Sequence, residues 1–127
     1  MAIARRTQIP AIHYVAATVT FTDNGTAKTL GAIPSGAVVL RAYAVVTTAF
    51  NAGTTNTINI GTASDADGFA TAIALGTVGV IGADEFATTN DAAATADTDI
   101  TATVVLSGTA ATTGSAHVVV EYLPKVA

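Results

Sequence analysis

The chain has no cysteine and no tryptophan, and its 127 residues include only three prolines and one methionine. Without thiols it has neither disulfides nor a thiolate metal site, which fits assembly in a reducing compartment. Charge is scarce as well. Charged residues make up 11% of the chain, against about 25% in ordinary soluble domains. The net charge is −4, and the only positive cluster is the pair Arg5–Arg6. One such pair is far smaller than the basic footprint of a nucleic-acid binder, so neither nucleic acid nor an anionic membrane is expected as a partner. No apolar run reaches the ~20 residues of a membrane span, and Arg41 interrupts the best candidate. No apolar core follows Arg5 and Arg6, so the N-terminus does not read as a signal peptide.

What remains is small and apolar. Hydrophobic residues are 50% of the chain, mostly Ala and Val diluted by Thr and Gly. A single domain of this length buries roughly two thirds of the surface of its unfolded chain, enough to fold without staples. An exterior with so few charges invites association through apolar patches. The composition therefore points to a subunit whose surface is covered by other subunits.

Alternation with a period of two dominates the pattern. From Val15 to Thr22 the odd positions Val15, Ala17, Val19 and Phe21 are apolar, and the even positions carry Ala16 and three threonines. That is a half-buried antiparallel strand. Asp23-Asn24-Gly25 reads as a hairpin turn, with Thr26–Ile33 as the return strand stopped by Pro34. Ala37–Thr48 is apolar on both parities, with Val38, Leu40 and Val46 on one side and Val39, Tyr43 and Val45 on the other. Such a strand is expected to be covered on both faces, by a second layer or by a neighbour. Further strands are expected around Ile58–Ile60, Ile100–Ser107 and Ala116–Leu123, and one or two short ones within Ile73–Ile81. Asp84–Asp97 lacks the spacing of a helical face and reads as an extended loop. The expectation is an all-β fold, a single antiparallel sandwich or barrel, with residues 1–12 as an N-terminal arm and 13–127 as the sandwich. The arm either reaches a neighbour or frays.

Few residues suggest chemistry. Asp65-Ala66-Asp67-Gly68 opens like a calcium loop, but no acidic residue closes it. The reading is a polar turn, with Asp65 and Asp67 as weak metal candidates. His13 and His117 are the only histidines. His117 and Glu121 fall on the solvent side of one strand, as surface or interface groups rather than a general base or zinc site. The serines lack a nucleophile elbow, and the glycines lack phosphate-binding spacing. The aromatics are dispersed, which favours core filling over a stacking platform. No catalytic residue and no cofactor is expected, and the chain does not read as an enzyme.

Three stretches carry a family resemblance. They are LGAIPSGAVVLRAYAVVTTAF from Leu30 to Phe50, NTINIGTASDADGFATA from Asn56 to Ala72, and GSAHVVVEYLP from Gly114 to Pro124. An Ile-Pro-x-Gly-Ala turn enters a long strand, a strand ending in Gly-Thr precedes Asp-x-Asp-Gly-aromatic, and a Val-rich strand closes the layout. This resembles the small all-β virion proteins of tailed bacteriophages, above all capsid decoration or cement proteins. The resemblance implies a jelly-roll-like sandwich, homotrimeric, made in the host cytoplasm and bound to the major capsid protein on the capsid exterior. The expected contact residues are Arg5, Arg6 and Ile9 on the arm and Val39, Arg41, Tyr43 and Val45 on the long strand. Head-fibre and tail components share the same texture. A carbohydrate- or calcium-binding sandwich module is the alternative outside the virion.

Overall fold

The computed structural model describes residues 11–82 and 96–124, so Arg5, Arg6, Ile9 and most of the Asp84–Asp97 loop lie outside the described residues. Eight strands follow in order: β1 (His13–Thr20), β2 (Ala27–Ile33), β3 (Val38–Thr48), β4 (Thr55–Gly61), β5 (Ala70–Ala74), β6 (Gly79–Gly82), β7 (Thr98–Ser107) and β8 (Ser115–Leu123). They form two four-stranded sheets, β1-β8-β3-β6 and β2-β7-β4-β5. The pairing is nested. β1 lies against β8, β2 against β7, β3 against β6 and β4 against β5, all antiparallel. Two further antiparallel ladders, β3–β8 and β4–β7, stitch each sheet together. A long hairpin rolled up in this way is a jelly roll, an architecture that packs one sheet on the other.

The core between the sheets follows the alternation. Val118 and Val120 from one sheet meet Ile58, Ile60, Ile100 and Val104 from the other, all buried. Fully burying a Val or Ile side chain stabilises by about 1.5–3 kcal/mol, so this face is the main source of stability. Phe50, Phe69 and Tyr122 belong to the core as well. Ile73–Ile81 yields two short strands, β5 and β6.

Two expectations are overturned. Asp23-Asn24-Gly25 does not close a hairpin, because β1 and β2 lie in different sheets. Thr20 and Asp23 form a capping box around a 3-10 turn at Phe21–Asp23. Asn24 has φ −54° and ψ 127°, and Gly25 has φ 77°. Those angles make a type II turn, whereas the type I′ and II′ turns of tight hairpins both need positive φ at the first central residue. The Asn24 side-chain amide donates to the Leu106 carbonyl (3.3 Å) and its oxygen accepts from the Leu106 N–H (2.9 Å). The turn is thus tied to β7 and carries the chain from one sheet to the other.

The second correction concerns β3. Its register with β8 shifts between Val39 and Arg41. This bulge adds a residue at Leu40 and reverses the parity beyond it. Val39 faces the core, and after the bulge Ala42, Ala44 and Val46 do. Val38, Leu40, Tyr43 and Val45 stay half-buried on the outer side.

β5 carries one strained position. Ala72 has φ 54°, and its N–H donates to Asn59 Oδ1 at 2.7 Å. A left-handed backbone costs an alanine about 1–2 kcal/mol, partly offset in glycine by its freer unfolded chain. Ala72→Gly is therefore expected to raise stability by up to about 1 kcal/mol. An unchanged or lower urea midpoint would show that this position tolerates alanine without strain.

Candidate interaction surface

The outer face of the β1-β8-β3-β6 sheet is set by β8, which buries Ala116, Val118, Val120 and Tyr122 and turns out His117, Val119 and Glu121. The ladders place Tyr14 and Arg41 on either side of Glu121, and Thr18 and Val45 on either side of His117. Val80 of β6 pairs with Val45, and Gly82 with Tyr43. A hollow of about 530 Å³ opens on this side, lined by Arg41, Ala42, Tyr43, Val45, Val80 and Gly82.

One charged cluster sits within this face. Arg41 Nε donates to Glu121 Oε1 at 2.9 Å and its Nη2 to Oε2 at 3.2 Å. Tyr43 Oη donates to Oε2 at 3.0 Å, and the guanidinium lies 5.1 Å from the Tyr43 ring centre. The hydrogen bonds from Arg41, supported by the one from Tyr43, hold the Glu121 carboxyl below its usual range against the opposing effect of its own desolvation. Burial, reinforced by the Glu121 carboxylate, pushes the Tyr43 hydroxyl up. Glu121 therefore stays ionised at neutral pH and cancels Arg41. The two charges satisfy each other and give the face no net charge to attract an ionic ligand. His117 is tied down in turn, its Nδ1 2.9 Å from Thr18 Oγ1.

The expected contact residues divide. Arg41, Tyr43 and Val45 share the outer face. Val39 does not belong with them, since the bulge puts its side chain in the core at 2% exposure. Tyr14, Val80 and Val119 complete the face and were missed, and Glu121, expected on the solvent side of its strand, lies on it. The signal for Tyr14 was an aromatic on the otherwise hydroxyl-bearing side of the first strand. For Val80 the glycines around it obscured the alternation.

Asp65 and Asp67 lie on an exposed loop between β4 and β5. The Asp65 carbonyl accepts from the N–H groups of Thr62 (2.8 Å) and Gly68 (3.1 Å), and Asp67 Oδ2 accepts from Thr71 Oγ1 at 3.3 Å. The loop folds back so closely that a Cβ at Gly61 would collide with the Asp65 carbonyl. These are turn contacts. Among the described residues no three His, Cys, Asp or Glu side chains gather as a metal would require. The melting temperature is expected to be the same in excess chelator as in buffer. A steep fall that Ca²⁺ reverses would make Asp65 and Asp67 ligands.

No family model matches the chain, and no curated protein matches it. A chain in the solved cyanophage Pam1 capsid asymmetric unit is similar in structure, with a TM-score of 0.66 and 22% identity over 90% of this chain and 85% of that one. At that identity the likeness is one of fold.

Proposed function

We infer that the chain is a non-enzymatic structural protein of a phage virion, carried on the capsid exterior as a homotrimeric cement or decoration protein that contacts the major capsid protein. The observation that carries this reading is the likeness of the whole jelly roll to a chain from a phage capsid unit. The virion-type stretches of the sequence and the weakly charged outer face support it.

The physics suits the role. A protein that binds the assembled lattice and not its dissociated parts stabilises the lattice by mass action. Arg41 and Tyr43 are the kinds of residue that anchor interfaces, but the chain has only three tyrosines and no tryptophan. Each copy contributes modestly, and the effect comes from repetition across the shell. Heads lacking the protein are expected to assemble yet to release their contents at lower temperature or milder osmotic shock. Heads as robust as complete ones that fail to adsorb to cells would move the chain to a fibre or tail.

A further inference from the structure

Asn24-Gly25 is the only Asn-Gly step in the chain, and the other four asparagines precede Ala, Thr, Ile and Asp. The pair is chemically vulnerable. The backbone nitrogen of a following residue can attack an asparagine side-chain amide, and glycine, with no Cβ, leaves that path clear. Both residues are exposed, and nothing lies within 4 Å of where a Gly25 Cβ would stand. Solvent reaches the pair freely, and the dipeptide on its own predicts rapid loss of the amide.

The fold holds both reacting groups. The nucleophile is the Gly25 nitrogen, whose N–H donates to the Val104 carbonyl at 2.8 Å. The electrophile is the Asn24 amide, which donates to the Leu106 carbonyl at 3.3 Å and accepts from the Leu106 N–H at 2.9 Å. The Thr26 N–H closes the turn on the Asp23 carbonyl at 3.1 Å. Ring closure needs the Cα–Cβ bond of Asn24 eclipsed with the bond from its carbonyl carbon to the Gly25 nitrogen, but ψ 127° keeps the two far apart. Attack therefore requires a local opening in which the turn leaves β7 and all its bonds to Val104 and Leu106 break together.

We propose that Asn24-Gly25 is a latent deamidation site, kept intact by its clamp on β7 and converted irreversibly once the turn opens. In the open turn the Gly25 nitrogen gives up its proton to solvent base and bonds to Asn24 Cγ. The C–N bond of the side-chain amide breaks, and that nitrogen takes up a proton and leaves as ammonia. A succinimide remains. Water adds to either ring carbonyl and opens it to aspartate or isoaspartate. Neither product re-forms the full clamp. A carboxylate has no N–H for the Leu106 carbonyl and repels it, and the neighbouring Asp23 already carries a charge paired with Lys28. Isoaspartate also lengthens the backbone by a methylene group, which moves Gly25 off Val104. The segment that carries the chain from one sheet to the other then stays loosened, so a transient opening is recorded in covalent form. This inference is independent of the virion reading.

The test follows deamidation of the full chain by peptide mapping and mass spectrometry, in one mildly alkaline buffer, folded or unfolded in guanidinium. Unfolded, Asn24 is expected to react ahead of the remaining asparagines. Folded, it is expected to react more slowly by about tenfold or more, the protection that hydrogen bonds to the side-chain amide supply. Equal rates in the two states would overturn the protection. Reaction of Asn24 no faster than the remaining asparagines in guanidinium would overturn the site itself. Asn24→Asp reproduces one product. It is expected to melt about 5 °C below the parent, with the Gly25 amide exchanging its hydrogen faster. Melting and exchange equal to the parent's would show that aspartate restores the clamp, and would overturn the irreversible step.

Discussion

Val39→Asp is expected to unfold the domain, whereas Val45→Asp on the same strand is expected to leave it folded. The two side chains looked equivalent by alternation, and the bulge at Leu40 separates them. Val39 is 2% exposed and packs in the core. A carboxylate there has no partner, and an unpaired buried charge costs several kcal/mol, about 4 or more after the group neutralises itself. That is a large share of the ~5–15 kcal/mol that holds a domain together. Val45 sits on the outer face beside Val80 and His117, where water still reaches a carboxylate. The expected damage there is to self-association. Urea midpoints for the two variants check this, and equal losses at both sites would mean that β3 has no bulge.

Gly114→Ala is expected to cost about 3 kcal/mol, a fall in melting temperature of about 10 °C. Two effects combine. Gly114 has φ 149°, a conformation that side chains rarely adopt. A Cβ there would also lie 2.5 Å from Cδ2 of the Phe50 ring and 2.6 Å from Cγ. The ring is buried between the sheets and cannot swing away without opening a void. Gly25 provides the control, with φ 77° but nothing within 4 Å of the added atom. Gly25→Ala is expected to cost only the backbone strain, about 1 kcal/mol. If the two substitutions cost the same, the Phe50 contact contributes nothing.

The strands were legible because one face of each is buried and period two survives composition. Val15, Val19, Val118, Val120, Ile58 and Ile60 all fall where alternation puts them. The jelly-roll order was not in that signal. It depends on which edges meet across long separations, and it came from the family resemblance. The hairpin expectation failed because Asn-Gly serves more than one turn. Here Asp23 joins Thr20 in capping the adjacent 3-10 turn, and Asn24 bonds to Leu106, a partner far along the chain. The bulge in β3 was equally hidden, since Val38, Val39 and Leu40 are all apolar and any parity suits them. The same ambiguity placed Val39 with Arg41, Tyr43 and Val45. The Arg41–Glu121–Tyr43 cluster depends on the β3–β8 register, which no local pattern announces.

Reconstruction of purified particles by electron cryomicroscopy tests the proposed role most directly. Density fitting this jelly roll is expected at repeated positions on the outer surface of the head, seated on the capsid lattice. Full heads without that density, or density for the chain confined to the tail or to fibres, would contradict it.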